Sequence, residues 1–257
     1  QDYYHADSGK FLIRNMISEE GGQAAVLSPD QRWLAMEVNS YAANWEERYT
    51  YDPEVETQWI LYDLKHLTSH KWITGKSDFY SSPGVSIEFI GWSADSRHFY
   101  FVYYPYGRLS SGLPAGYSRL DRASLQIQLL VPNVIFTKLS PDGQFIFMVT
   151  ADRIEEQMAY DVKAAIYTLA GKPVSELQFL ADQLPFEALN PTNFYNEDGY
   201  DPYPDLIPAR WNHNGAEIAF AGPNGDLWLQ NTNGETIQIV SALPVEPYWQ
   251  EKVRFSW

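Results

Sequence analysis

Lys138-Leu-Ser-Pro-Asp-Gly-Gln-Phe-Ile-Phe147 is a short apolar approach, a four-residue turn and an apolar strand. Its turn chemistry is explicit. Serine offers a side-chain acceptor, proline sets φ near about −65°, and Asp-Gly tolerates the closing geometry. The same pattern returns at Val26-Leu-Ser-Pro-Asp-Gln-Arg-Trp-Leu-Ala-Met36, at Ile90-Gly-Trp-Ser-Ala-Asp-Ser-Arg-His-Phe-Tyr100 and at Arg210-Trp-Asn-His-Asn-Gly-Ala-Glu-Ile-Ala-Phe220. A turn motif that recurs with the same flanks is the mark of a repeat architecture.

A second hairpin follows each copy. Trp59–Leu64 leads to Lys71–Thr74, Tyr117–Leu120 to Leu125–Val131, and Ala165–Gly171 to Val174–Leu180. The clearest copy is Asp226–Gln230, the turn Asn231-Thr-Asn-Gly234, then Thr236–Val240. Each unit thus reads as four short antiparallel strands, and tandem four-stranded units predict a β-propeller. A β-sandwich also alternates strands with turns, but it does not require one turn motif to recur in register with one strand order. The predicted fold is all-β, with one propeller domain over residues 1–257. Its full blades fall at about 25–74, 87–131, 134–180 and 207–240, with 1–16 and 248–257 as a partial or closing fifth. Asp2–Arg14 matches a third strand, turn and fourth strand, and Lys252–Trp257 matches a first strand. Either the two combine into one closing blade, or the sequence is cut from a larger propeller. Starting and ending within a blade favours the second.

The Ser-Pro-Asp-Gly hairpin, preceded by Trp or Leu and followed by an apolar strand, resembles the TolB-like (WD-type) propeller repeat. The resemblance runs over nearly the whole chain. The second copy (Ser93-Ala-Asp-Ser96) and the fourth (Asn212-His-Asn-Gly215) depart from the turn consensus. Such repeats occur in periplasmic Tol-system proteins, tricorn-type proteases and prolyl-oligopeptidase relatives. The resemblance therefore implies a periplasmic or extracellular setting, and either a binding scaffold or one domain of a larger enzyme.

Composition narrows the field. The chain has 257 residues, 45% of them hydrophobic, enough for a sizeable core. Aromatics reach 16%, which suits pleated sheet surfaces. A net charge of −15 argues against nucleic acid and anionic membranes as partners. Without cysteine there are no disulfides, no thiol catalysis and no thiolate zinc site. No apolar run approaches a membrane span, so direct membrane insertion is not expected. Gln1 opens a polar stretch rather than a signal peptide, and it is no initiator Met, so the chain reads as processed or excised.

No catalytic constellation is present. The Gly-x-Ser-x-Gly elbow, the phosphate loop and the dinucleotide fingerprint are all missing, so no cofactor is expected. His66 and His70 have helical spacing but fall in a strand-turn-strand segment, which reads as a turn pair rather than a metal site. His98 and His213 sit at first hairpins, where surface or packing roles are the default. Asn196, Asp198 and Asp201 place oxygen ligands at alternate positions around a Gly, as calcium loops do. The rest of the twelve-residue pattern and its terminal Glu are missing, Asp/Asn/Gly clusters also simply form loops, and no metal is expected.

Loop topology points to a binding face. In a four-stranded blade, the first-to-second and third-to-fourth turns share one end. The tight turns fall there, while the long insertions fall at the other: Asn39 to Gln58, Tyr104 to Gly116, Ala151 to Tyr160, Gly75 to Ser86 and Ala181 to Asp205. Function concentrates on long loops held by a rigid scaffold. Those loops carry Trp45, Glu46, Glu47, Tyr49 and Tyr51, then Tyr104 and Tyr106, then Phe194, Tyr195, Tyr200 and Tyr203. Aromatics beside acids suit a basic or peptide-like protein partner, or a stacked sugar; equally, they could pin the loops to the blade tops. The expectation is a non-catalytic scaffold for a protein or peptide. The alternative is the propeller domain of a peptidase or glycan-active enzyme, gating or positioning substrate.

Overall fold

A computed structural model describes residues 2–4, 11–14, 25–39, 56–76, 87–103, 115–154, 159–179, 209–221 and 226–240. Every regular element among them is a β-strand. A short antiparallel hairpin, β1 (Asp2–Tyr4) with β2 (Phe11–Arg14), comes first. Four sheets follow, each with its four strands in simple sequential order. The first blade is β3 (Ala25–Leu27), β4 (Trp33–Asn39), β5 (Glu56–Asp63) and β6 (Thr68–Lys76). The second is β7 (Ile87–Trp92), β8 (His98–Tyr103), β9 (Gly116–Asp121) and β10 (Ile127–Pro132). The third is β11 (Val134–Leu139), β12 (Phe145–Ile154), β13 (Ala159–Thr168) and β14 (Pro173–Phe179), and the fourth β15 (Ala209–Trp211), β16 (Glu217–Ala221), β17 (Leu227–Asn231) and β18 (Thr236–Val240). All-β blades of four antiparallel strands are what the repeat predicts.

The recurring turn is built the same way in all four blades. Its first residue donates its amide to the residue opening the second strand's carbonyl: Ser28 to Trp33 at 2.8 Å, Ser93 to His98 at 2.8 Å, Ser140 to Phe145 at 2.9 Å and Asn212 to Glu217 at 2.8 Å. The fourth turn residue is left-handed each time, with φ of 58° at Gln31, 56° at Ser96, 69° at Gly143 and 71° at Gly215. The two departures from Gly thus leave the backbone unchanged.

The chain divides into two compact units, Gln1–Leu130 and Val131–Trp257. In the first unit, Trp33, Ala35, Trp59 and Leu61 of the first blade meet Trp92, Phe99 and Phe101 of the second. The rings pack at centroid distances of 4.8 Å for Trp72–Phe101 and 5.1 Å for both Trp92–Phe99 and Phe89–Phe99. Aromatic pairs in this range add to the stabilisation from burial alone. In the second unit, Phe147, Val149, Ala164 and Ile166 of the third blade meet Trp211, Ile218 and Phe220 of the fourth, with Phe147 and Phe220 at 4.8 Å.

One reading is corrected. Residues 151–160 are not a long insertion: β12 and β13 stay paired out to Ile154↔Ala159, leaving only 155–158 as a connection. The charged run Asp152–Glu156 masks the apolar alternation that marks a strand, yet backbone pairing continues through it.

Candidate binding face

Strand bounds fix what emerges from each end of a blade. At one end lie eight tight turns, two per blade. From the other leave residues 40–55 and 104–115, joining second to third strands, and 77–86 and 180–208, joining blades. Three connections there are short: Asn133, 155–158 and 222–226. The aromatic and acidic residues predicted as the site, from Trp45 to Tyr203, all lie outside the described residues, as do Asn196, Asp198 and Asp201. The described residues form the blades and the tight turns at one end of them.

Hydrogen bonding at that end begins within each turn. Ser28 Oγ donates to Asp30 Oδ1 at 2.5 Å and accepts from Trp33 N at 2.9 Å, while Asp30 Oδ1 also accepts from Arg32 N at 3.2 Å. Ser93 with Asp95 and Ser140 with Asp142 repeat the arrangement. In the fourth blade Asn212 Oδ1 takes over, accepting from Ala216 N at 3.0 Å and Glu217 N at 3.2 Å, while Asn214 Oδ1 accepts from Ala216 N at 2.9 Å. The Ser-x-Asp pair and the Asn-x-Asn pair are thus equivalent ways of satisfying turn amides. Asp95 is held below the usual carboxylate range, first by Ser93 and then by the Arg97 amide. At Asp30, burial pushes upward, but the Ser28 hydroxyl, the Arg32 amide and the Arg122 charge outweigh it and lower its pKa.

The third-to-fourth turns are capped by the last residue of the third strand. Asp63 Oδ1 accepts from Lys65 N at 2.9 Å and His66 N at 3.2 Å, and Asp121 Oδ1 accepts from Ala123 N and Ser124 N, both at 3.0 Å. Asn231 Oδ1 does the same for Asn233 N and Glu235 N. In the first two blades the cap is also a clamp. Arg32 grips Asp63 with two nitrogens, Nη2 to Oδ2 at 2.8 Å and Nε to Oδ1 at 3.3 Å, and Arg97 Nε reaches Asp121 Oδ2 at 3.2 Å. His66 Nδ1 sits 2.8 Å from Asp63 Oδ2, and His98 Nε2 lies 3.6 Å from Asp121 Oδ2. Each clamp ties a blade's two turns together. The third and fourth blades have Thr168 and Asn231 at the cap and Gln144 and Ala216 opposite, so they have no such ion pair there.

The Arg32 guanidinium, then the His66 ring and backbone amides, hold Asp63 well below the usual carboxylate range. Asp121 is lowered to about 2, chiefly by the Ser124 amide, with help from Arg97. Both histidines beside carboxylates are therefore turn fixtures, and His70 lies against Trp33 with ring centroids 5.8 Å apart. No group of metal-ligating side chains forms among the described residues.

Neighbouring blades are joined at this end too. In the first unit Asp30 N donates to Ser96 Oγ at 3.0 Å, and Arg122 Nη1 reaches Asp30 Oδ2 at 3.3 Å. Arg122 and Arg32 place their guanidinium carbons 5.2 and 5.3 Å from the Trp33 ring centre, within cation–π range. In the second unit Gly215 approaches Asp142 so closely that a Cβ would stand 3.1 Å from Oδ1, an oxygen already held by Ser140 and Gln144. Gly143, with a similar φ, has open space around it. Gly143→Ala is expected to cost about 1–2 kcal/mol of left-handed strain, and Gly215→Ala roughly 1 kcal/mol more for the contact. Urea denaturation of the two variants checks the difference.

No protein-family model and no curated protein matches the chain. Among solved structures it is similar to TolB from Acinetobacter baumannii, with 16% identity and a TM-score of 0.38 over 82% of this chain and 41% of that one. It is similar to the β-propeller domain of the Trilobed protease from Pyrococcus furiosus, with 9% identity and a TM-score of 0.41 over 85% of this chain and 57% of that one. It is also similar to an oligogalacturonate lyase from Vibrio parahaemolyticus, with 12% identity and a TM-score of 0.43 over 90% of this chain and 56% of that one. The chain spans between 41 and 57% of the length of these neighbours.

Proposed function

We propose that the chain is a non-catalytic propeller-type scaffold that recognises a protein or peptide through the loop-bearing ends of its blades. The asymmetry of the connections carries this reading. At one end the turns are short and closed by their own backbone and side-chain hydrogen bonds. From the other leave residues 40–55, 104–115 and 180–208, whose sequences carry Trp45, Tyr49, Tyr104, Tyr195, Tyr200 and acidic neighbours. Tyrosine and tryptophan provide large contact area with little rotamer entropy to lose, so a few of them dominate binding. The charge of −15 favours a basic partner, speeds its approach and makes the association salt-sensitive. The resemblance to Tol-system proteins favours an extracytoplasmic setting. Histidines beside carboxylates in the described residues serve turns, which favours binding over catalysis.

Once a partner is captured, Trp45→Ala and Tyr200→Ala are expected to weaken binding about tenfold or more, with melting temperature nearly unchanged. Asp142→Ala, in a tight turn, is expected to do the reverse, lowering stability and leaving affinity per folded molecule alone. Titration calorimetry with thermal melts reads both. Cross-links that place the partner on the Ser-Pro-Asp-Gly turns would overturn the proposal.

A further inference from the structure

Among the described residues each unit has one blade junction, and both are closed by the same bond. Trp92, the last residue of β7, donates its indole N–H to the Val26 carbonyl at 3.1 Å. Trp211, the last residue of β15, donates to the Lys138 carbonyl at 2.9 Å. Each tryptophan directly precedes the Ser or Asn that opens its own turn. Each accepting carbonyl belongs to the residue two before the Ser of the preceding blade's turn. The bond therefore belongs to the repeat. It needs a first strand ending in Trp and, on the blade before it, a sheet face for that strand's blade to cover.

The fourth blade presents such a face. Ala219, Leu229 and Ile237 stand in register across β16, β17 and β18. They point away from Trp211, Ile218 and Phe220, which pack on the third blade. The corresponding residues of the first blade are covered by the second: Trp59 and Leu61 are 0% exposed. In the fourth blade their counterparts Leu227 and Leu229 are only part-buried. The outer strand gives the sharpest contrast. Trp72 occupies the bulge of β6 and lies against Phe99 and Phe101 of the next blade. Ile239 occupies the same bulge position in β18 and is 51% exposed, beside Ile237 at 52%.

The geometry points to Lys252–Trp257 as the occupant of this face: the innermost strand of a further blade, with the Trp257 indole N–H donating to the Arg210 carbonyl. Arg210 precedes Asn212 by two residues, as Val26 precedes Ser28 and Lys138 precedes Ser140. Phe255 stands two before Trp257, as Ala209, packed on the unit's core, stands two before Trp211. Residues 241–251 lead from β18 to this strand much as 77–86 lead from β6 to β7. A short tether supplies an effective concentration in roughly the millimolar range, an advantage no second copy of the chain has.

Hydrogen exchange on the full chain tests this. Trp257→Ala is expected to raise exchange of amides in 209–219 about tenfold or more, leaving 25–39 unchanged, over a wide range of protein concentration. Trp257→Phe, which removes only the N–H, gives a smaller rise at the same amides. Unchanged exchange in Trp257→Ala, with Trp211→Ala raising it as a control, would overturn the assignment. So would protection of 209–219 that depends on protein concentration, since that gives the face to a second copy.

Discussion

Trp92→Ala and Trp211→Ala are each expected to cost about 3–5 kcal/mol, among the largest losses a single substitution gives in this protein. Both side chains are nearly buried, at 8% and 6% exposed, and both belong to the apolar core of their unit. Truncation removes the packing, leaves a cavity between blades and takes away the indole donor of the junction. The Phe variants separate these effects: they keep most of the ring and lose the hydrogen bond, at about 1 kcal/mol. The repeat supplies its own control. Leu27 and Leu139 stand at the same position in the first and third blades, at 47% and 38% exposed. Leu27→Ala and Leu139→Ala are expected to change stability by less than about 1 kcal/mol. Urea midpoints at constant m-value read the contrast; equal losses at all four positions would show that the junction bond is not what holds the blades.

The second large effect is at Asp63. Its carboxylate is 4% exposed and receives both Arg32 nitrogens, the His66 ring and two turn amides. Asp63→Ala strands those donors and is expected to cost about 2–3 kcal/mol. Asp63→Asn keeps an acceptor for the amides, as Asn231 does in the fourth blade, and is expected to recover about half of the loss. The clamps also set an acid limit. A carboxyl whose folded pKa is depressed contributes stability above its unfolded value, and that contribution disappears as pH falls toward the folded value. For Asp121 the window runs from about 4, the unfolded value, to about 2. For Asp63 it extends lower. The first unit, with both clamps, should therefore lose protection between about pH 4 and 2 more steeply than the second. Exchange measured unit by unit across that range checks it, and Asp63→Asn with Asp121→Asn should flatten the difference.

The turns were legible because their chemistry is local. Ser140 Oγ accepts from Phe145 N, Asp142 Oδ1 from Gln144 N and the Ser140 carbonyl from Gly143 N, all within six residues, so the motif announces itself, and the Asn212 variant uses side-chain acceptors at the same two turn positions. The tryptophans preceding the turns could be seen, but not what they bind: Trp92 and Val26 are 66 residues apart. The Arg32–Asp63 clamp spans 31 residues and pairs two turns that each look complete alone. A common arginine at the turn's end, Arg32 and Arg97, and a common aspartate closing the third strand, Asp63 and Asp121, were its only signals. Residues 151–160 misled because Asp152, Arg153, Glu155 and Glu156 read as a loop, whereas the strand pairing that runs through 152–154 is backbone chemistry that the side chains do not advertise.

The junction bonds have a consequence for how the protein comes apart. Each anchor joins the innermost strand of one blade to the innermost strand of the next, and in the second unit Gln230 Nε2 of β17 adds a bond to the Ala164 carbonyl of β13 at 3.2 Å. Cooperativity in the first unit is therefore concentrated along the inside, between nearest neighbours, as in a linear array of coupled repeats. Outer strands such as β6 and β18 are free to fray without breaking an anchor. Loss of β7 or β15 instead removes the fixture of the blade before it, so opening that starts at an inner strand spreads, while opening that starts outside stays local.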